Sequence, residues 1–187
     1  MSIILFIVFI NSVVWLLAPI RQFRTKYFTF FLILGLLDPV YISGYYLFKL
    51  NLEIVFLIGT GILTFGATVN FSLKHRIIIF IIITLLGLVA AIFFKAYYIY
   101  VELFIHLFIF FNFLTILLKE FSENRQLPHF SILLIAYEVS LLVKFYLTLN
   151  HQEIAAAYFH FTSIIQIIIG IFFLFINEKN SRSIKFT

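Results

Sequence analysis

Seven apolar windows, each long enough to cross a bilayer as a helix, constrain this chain more than any other feature of its sequence. They cover roughly residues 2–20, 27–48, 53–73, 77–95, 96–118, 129–149 and 153–177. A hydrocarbon core of about 30 Å needs about 20 apolar residues in an α-helix. The sequence therefore predicts an all-α, multi-pass membrane protein with seven transmembrane helices in a single domain, 1–187, located in a plasma membrane or a bacterial inner membrane.

Composition supports this prediction and excludes several classes of function. Hydrophobic residues make up 64% of the 187 residues, charged residues make up 11%, and the mean hydropathy is +1.14. These values lie outside the range of soluble domains. Cysteine is absent, so thiol and disulfide chemistry is not expected. The net charge of +5 comes from basic residues dispersed over short loops, so we expect a lipid bilayer as partner and no nucleic acid, and we expect no cofactor.

Lysine and arginine predict the orientation, because cytoplasmic loops retain positive charge. Ten basic residues follow the first, third, fifth and seventh windows, whereas two, Lys49 and Lys95, lie at the opposite end. The ten are Arg21, Arg24, Lys26, Lys74, Arg76, Lys119, Arg125, Lys179, Arg182 and Lys185. We therefore expect the N-terminus outside and the C-terminus in the cytoplasm. The first window lacks a basic start and leads straight into Arg21, so it is expected to remain as a helix rather than to be cleaved as a signal peptide.

An offset of 100 residues aligns the two ends of the chain. Asp38 then falls on Glu138, Tyr46 and Leu47 fall on Tyr146 and Leu147, and Glu53 and Ile54 fall on Glu153 and Ile154. This pattern predicts a parallel 3+1+3 repeat, with units 1–76 and 96–182 joined by a linker helix, 77–95. Thr84 is the only polar side chain in the apolar part of the linker, so this helix is expected to face lipid.

A 3+1+3 arrangement with an outside N-terminus resembles the SWEET and PQ-loop families of small-solute carriers, and more loosely the opsins. The resemblance covers the whole chain as architecture and implies a carrier function. Asp38-Pro39 in the second window is the nearest sequence to the Pro-Gln pair that names the PQ-loop family, and no family site is carried over. Opsins bind retinal through a lysine in helix seven, and the seventh window has no lysine, so retinal is not expected.

Ionisable side chains within these windows are candidates for a functional site, because each is costly in a membrane interior unless it is paired or hydrated. At about 1.5 Å per residue, Glu102, Lys144 and His160 lie roughly 7–9 Å below the outer boundary. Three more ionisable groups lie roughly 15 Å down, near the midplane. The candidate substrate- or proton-binding residues are Asp38, His106, Glu138, Glu102, Lys144, His160, Asn11 and Gln166.

Helical spacing predicts which of these side chains meet. Glu102 and His106 are four residues apart and share a face of their helix. Glu138 and Lys144 are separated by six residues, about 240° around the axis, so they are expected to contact different helices. The sequence predicts that Lys144 pairs with Glu102 and that Glu138 pairs with His106. The threonines of the third window, Thr60, Thr64 and Thr68, are interpreted with its glycines as a close-packing face.

Three classes of function fit these residues. The first is a carrier of a small solute, coupled to protons through Asp38, Glu138 and His106. The second is a receptor, sensor or accessory subunit of a membrane complex, with an outward-facing polar pocket for a small molecule or ion and a membrane or cytoplasmic protein partner. The third is an intramembrane hydrolase in which Glu102, His106 and His160 bind zinc and Glu138 is the base. No HExxH motif is present, and the carrier is favoured over an enzyme.

Overall fold

The computed structural model describes residues 3–49, 52–93, 98–150 and 155–185 of the chain. Within these ranges it contains seven helices and one pair of short strands. The helices are α1 (Ile3–Arg21), α2 (Phe28–Phe48), α3 (Leu52–Ala67), α4 (Leu73–Phe93), α5 (Tyr98–Asn124), α6 (His129–Asn150) and α7 (Ala155–Phe175). The strands are β1 (Gln126–Pro128) and β2 (Ser183–Lys185). The turn expected at Lys95 and Ala96, and the match of Glu153 in the repeat, lie outside the described residues.

Four of these helices have the length and apolarity of membrane spans. They are α2, α4, α5 and α6, with spans Phe28–Phe48, Leu73–Ala90, Tyr98–Asn124 and His129–Asn150. The other three helices contribute shorter apolar segments, Phe6–Arg21, Ile54–Ala67 and His160–Phe175. The chain is thus a helical protein with several helices that fit a bilayer by length and composition.

Six helices form a closed ring. Around it, α1 packs on α2, α2 on α3, α3 on α5, α5 on α6, α6 on α7, and α7 back on α1. The remaining helix, α4, packs on the outside against α3 and α5. Only 6% of its span is buried, which agrees with the peripheral position expected from its lack of polar side chains. The ring order is unchanged when α1–α3 exchange places with α5–α7, as the predicted repeat requires, but the repeat itself stays a prediction.

Two glycines allow neighbouring helices to approach closely. A Cβ added at Gly66 would lie 2.6 Å from the Cα of Phe30, so α3 contacts the backbone of α2 directly. A Cβ added at Gly35 would collide with the backbone carbonyl oxygen of Trp15, which brings α2 equally close to α1. Small residues at helix contacts are the usual means of close packing in membranes, where apolar surface alone drives no association.

Aromatic side chains fill the ring near the end where α1, α3, α5 and α7 stop. Trp15 and Tyr137 have ring centroids 4.5 Å apart, and Phe31 and Phe173 are 4.7 Å apart. Such tilted and edge-to-face contacts are favourable for aromatic pairs. We call this set the aromatic core; its members are Trp15, Tyr27, Phe30, Phe31, Phe113, Phe130, Tyr137 and Phe173, all nearly fully buried.

Polar contacts close the same end of the ring. The Gln22 side-chain amide donates to the carbonyl oxygens of Phe173 at 3.0 Å and Ile176 at 2.9 Å, which ties the end of α1 to the end of α7. Lys26 Nζ lies 2.7 Å from Glu178 Oε1 and 3.8 Å from Glu120 Oε1, so one lysine joins the ends of α5 and α7. The Gln22 contacts supply donors to carbonyl oxygens at the end of α7 that would otherwise be unsatisfied.

The C-terminal segment completes this closure. Strand β2 pairs antiparallel with β1, with Leu127 opposite Ile184, so the tail is attached to the connection between α5 and α6. Ser181 Oγ accepts a hydrogen bond from the backbone N–H of Phe130 at 3.0 Å, in the first turn of α6. We call the contacts of Gln22 and Lys26 together with this strand pair the end clamp. Burial and the nearby carboxylates of Glu120 and Glu178 raise the pKa of Tyr27, which lies next to the end clamp. The Tyr27 hydroxyl therefore remains neutral.

Helix boundaries differ from the apolar windows at two places. Helix α3 ends at Ala67 rather than 73, because Thr68 and the residues after it form a turn, and α4 then begins at Leu73 rather than 77. Helix α5 continues to Asn124 rather than 118. Its last turns are polar, with Lys119 and Glu123 3.8 Å apart as an i,i+4 pair, so helical structure continues where hydropathy stops.

Candidate functional site

A buried histidine–carboxylate pair lies inside the ring between α5 and α6. His106 Nδ1 is 2.9 Å from Glu138 Oε2, and the two side chains are 3% and 0% exposed. With Glu138 as a carboxylate, which only accepts hydrogen bonds, the imidazole is the donor from Nδ1. The ring of His106 stacks on Phe145, with centroids 5.3 Å apart and an interplanar angle of 28°. The pairing of Glu138 with His106 that helical spacing predicted is confirmed.

Glu102 lies one turn before His106 on the same face of α5. It is 1% exposed, and its Oε1 accepts a hydrogen bond from Thr60 Oγ1 at 3.2 Å. Its Oε2 is buried and has no hydrogen-bond partner among the described residues. The predicted pair between Lys144 and Glu102 is wrong, because Glu102 bonds to α3 instead. Thr60, interpreted from the sequence as a packing residue, is a donor to this carboxylate; the sequence carried no signal for this role, because the carboxylate lies on another helix.

Lys144 interacts electrostatically with groups on two other helices, Asp38 on α2 and His106 on α5. The charged group that affects it most is Asp38 on α2, a helix that does not flank α6. Depth along the helix could not show whether Lys144 interacts with Glu102 or with Asp38, because the sequence does not give the order of the helices around the ring. Both side chains are half-buried. Asp38 Oδ2 also accepts a hydrogen bond from Ser12 Oγ at 2.7 Å, so α1 and α2 are joined at this level.

The sequence grouped Asp38 with His106 and Glu138, and the structure separates their contacts. Hydrogen bonds among the described residues join His106 to Glu138, and Asp38 to Ser12. The charges of Asp38 and Glu138 nonetheless both act on Tyr137, which is buried in the aromatic core. The two acidic groups therefore belong to one electrostatic environment without touching.

Two further candidates have local roles. Asn11 Oδ1 accepts from Trp15 Nε1 at 3.2 Å, which orients the indole of the aromatic core. Gln166 is 3% exposed, and its Nε2 donates to Ser140 Oγ at 3.3 Å. Ser140 in turn donates to the carbonyl oxygen of Tyr137 at 2.7 Å. Gln166 therefore connects α7 to the part of α6 that carries Glu138, through a serine that the sequence did not single out.

His160, the remaining candidate, is half-buried near the start of the described part of α7. Within residues 3–49, 52–93, 98–150 and 155–185, no group of three or more His, Asp or Glu side chains is arranged to hold a metal ion. The zinc site suggested for Glu102, His106 and His160 thus has no assembled ligand set in the described structure.

Every helix of the ring contributes a polar side chain to the same interior region. We call this region the polar layer. Its members are Ser12, Asp38, Thr60, Glu102, His106, Glu138, Ser140, Lys144 and Gln166. The aromatic core borders it directly, since Tyr137 precedes Glu138 and packs on Trp15. The aromatic core therefore lies between the polar layer and the end clamp.

Two oxygens of the polar layer lack donors. Besides Glu102 Oε2, Glu138 Oε1 is buried and has no hydrogen-bond partner in the described part of the chain. A buried acceptor that loses its water without gaining a donor costs about 1–3 kcal/mol, and more when it is charged. Packing alone gains nothing from this arrangement, so these oxygens are candidate contacts for a proton or a ligand.

Two surface grooves lie apart from this region. One is lined by Leu16, Pro19, Ile20, Phe23, Phe28, Leu32 and Leu36, and the other by Pro39, Val40, Ser43, Gly44, Phe48 and Val55. Both are mainly apolar, and neither includes a member of the polar layer. Their lining suits lipid chains rather than a polar solute.

Comparison with known proteins gives no relative to draw on. No family model, curated protein or solved structure matches the chain. The likeness to SWEET and PQ-loop carriers therefore stays an expectation about architecture.

Proposed function

We propose that the protein is a small multi-pass membrane carrier that moves a small solute together with protons through the polar layer. The observation that carries this proposal is the buried pair of His106 and Glu138, next to the buried carboxylate of Glu102. All seven helices cross the bilayer in this proposal, with the N-terminus outside and the C-terminus in the cytoplasm. The expected location is a plasma membrane or a bacterial inner membrane.

The distribution of basic residues supports this orientation. The end clamp and the connections beside it hold the ten lysines and arginines that the positive-inside rule assigns to the cytoplasm. Helices α1, α3, α5 and α7 finish at this end, and α2, α4 and α6 start there, as seven alternating crossings require. The end clamp then faces the cytoplasm, and the polar layer lies beyond the aromatic core.

The chemistry of the pair favours proton coupling over a purely structural role. Replacing a buried ion pair by apolar side chains is often neutral or stabilising, so stability alone gives little reason to keep one. Imidazole and carboxylate groups that face the interior of a helix bundle are the usual members of proton pathways in membranes. Histidine also changes its charge near neutral pH, which lets one pair bind and release a proton during a transport cycle.

The fold supplies the parts that alternating access needs. In this proposal the aromatic core and the end clamp block the cytoplasmic end, so inward release requires these to separate. Pro39 follows Asp38 within α2 and has no N–H to donate to the carbonyl of Gly35. Helices interrupted beside the substrate are common in carriers, because the freed backbone groups line the site.

Proton flux in proteoliposomes tests the proposal. Vesicles loaded with a pH-sensitive dye are exposed to a panel of sugars, amino acids and amines, and internal pH is followed. We expect at least one solute to drive proton movement, and Glu138→Gln to abolish it. Glu123→Gln is the matched control, because Glu123 lies on α5 outside the ring and is 59% exposed. Solute uptake that proceeds without proton movement, or that survives Glu138→Gln, would contradict the coupling.

A receptor or accessory subunit is the second candidate, and one observation favours it. The aromatic core fills the ring below the polar layer, which suits a pocket that opens only to the outside. Such a protein would bind a ligand without moving it, and its basic cytoplasmic end would contact a partner protein. Saturable ligand binding with no flux in the same vesicles would support this alternative over the carrier.

A further inference from the structure

The polar layer contains one more negative charge than positive charge. Its acidic members are Asp38, Glu102 and Glu138, and its basic members are Lys144 and His106. Lys144 interacts electrostatically with Asp38, and His106 hydrogen-bonds Glu138 and also interacts electrostatically with Glu102, so two basic groups serve three acids. With all three acids ionised and His106 as an imidazolium, this set carries one excess negative charge. Among the described residues, Tyr137 also interacts with Asp38 and Glu138.

Glu102 is also the least satisfied member of the layer by hydrogen bonding. Thr60 is the donor that it has in the described structure, and this hydroxyl occupies Oε1 alone. Oε2 is buried without a partner, on a side chain that is 1% exposed. The charge count and the missing donor are independent observations: the first shows that the layer can accept one positive charge, and the second identifies Glu102 Oε2 as a contact for it.

We propose that a small monovalent cation, either an alkali ion or an alkylammonium ion, binds at Glu102 and is the solute of the carrier. Its charge balances the layer, and it contacts Glu102 Oε2. The hydroxyl oxygen of Thr60 and Oε1 of Glu138 are the further oxygen ligands. Hard cations prefer such carboxylate and hydroxyl oxygens, and an ammonium group donates hydrogen bonds to them. The binding step stands on geometry and charge, whereas the transport step rests on the proposed function.

A proton alone fits this position less well. A proton on Glu102 Oε1 could be donated to the Thr60 hydroxyl oxygen, 3.2 Å away, but it would leave Oε2 without a contact. A divalent cation would add one charge more than the count requires. A monovalent cation supplies both the missing charge and the missing contact.

Thermal unfolding of the purified, full-length protein tests cation binding without requiring transport. Chloride salts of lithium, sodium, potassium, methylammonium and tetramethylammonium are compared at fixed pH and ionic strength, with N-methylglucamine chloride as the reference salt. At about 100-fold the dissociation constant, one of these ions should raise Tm by about 5–10 °C. The alkali and alkylammonium series separate the two sources of positive charge.

Variants assign the effect to this position. Glu102→Gln should lose the cation-dependent rise, and its Tm without the cation should be higher than that of the wild type because the unbalanced charge is gone. Glu123→Gln should keep the full rise. Thr60→Val removes one oxygen donor and should raise the cation concentration for half-maximal stabilisation about tenfold. It serves as the second test should Glu102→Gln not fold.

The outcomes separate this inference from the proposed function. A Tm that responds to pH but to none of the ions would show that protons fill the position, and the inference would be wrong while a proton-coupled carrier of a neutral solute could still stand. A cation effect that persists in Glu102→Gln and is unchanged in Thr60→Val would overturn the assignment to this position. Stabilisation by a cation that never crosses the membrane in vesicles would uphold the site and refute the carrier.

Discussion

Removing either member of the His106–Glu138 pair should destabilise the protein far more than removing both. His106→Leu leaves the Glu138 carboxylate fully buried with no donor, and breaking a buried pair in this way costs about 3–5 kcal/mol. Glu138→Leu leaves a neutral imidazole that has lost one hydrogen bond, which costs about 1–3 kcal/mol. In the double variant neither polar group remains, and the coupling free energy should be about 1.5–3 kcal/mol.

The assay is reversible unfolding in mixed detergent and dodecyl sulfate micelles, with the free energy of unfolding obtained for the four members of the cycle. The matched control is the pair of Lys119 and Glu123, which lies on α5 at 3.8 Å with both side chains more than half exposed. Its coupling should not exceed about 0.5 kcal/mol. If the two costs at the buried pair add to within about 0.5 kcal/mol, the side chains are not coupled and the reasoning fails.

The remaining predictions concern helix packing and the end clamp. Gly66→Ala should destabilise the protein by about 1–3 kcal/mol in the same unfolding assay, because the new methyl group meets the backbone of Phe30. Gly87→Ala is the control and should be neutral or slightly stabilising, because its added Cβ would have its nearest contact at 3.5 Å. Leu127→Cys combined with Ile184→Cys should form a disulfide across the strand pair, detected by gel mobility, since the chain has no other cysteine. The oxidised protein should lose solute-driven proton flux and regain it on reduction. Either single variant should keep its flux under oxidising and reducing conditions. Full flux in the oxidised protein would show that the end clamp does not open.

The helices could be predicted from the sequence because a bilayer imposes one length and one composition on every segment that crosses it. The end of α5 could not, because hydropathy reports contact with lipid and not helical structure. Residues after Leu118 are polar, yet the backbone continues as a helix to Asn124. The short strands were missed for a related reason, since three-residue strands, one in the connection between α5 and α6 and one in the C-terminal tail, carry no periodic signal.

The candidate site was predictable in membership and only partly in contacts. The free-energy cost of an ionisable side chain in a membrane interior identified Glu102, His106 and Glu138 without knowledge of the fold. The spacing on α5 and α6 then predicted the pair of His106 and Glu138. The partner of Lys144 depended on which helices face each other across the ring, and a single sequence does not specify this. The donor to Glu102 was missed because a threonine on a glycine-rich helix is indistinguishable from a packing residue until its neighbour is known.

Accessibility of the polar layer to a charged reagent tests the central claim most directly, because a binding site must be reached from water and a structural pair need not be. The chain has no cysteine, so a single cysteine can be introduced at Ser140 or at its neighbour Val139 on α6. Ser140 is 6% exposed, whereas Val139 is 41% exposed on the outside of the ring. Ser140→Cys is therefore compared with Val139→Cys. In oriented vesicles, a small cationic methanethiosulfonate reagent should modify Cys at 140 and not at 139, while a lipid-soluble maleimide should modify 139. If the charged reagent reaches 140 from neither side of the membrane, the polar layer is sealed within the protein, and the proposal that it binds a solute is contradicted.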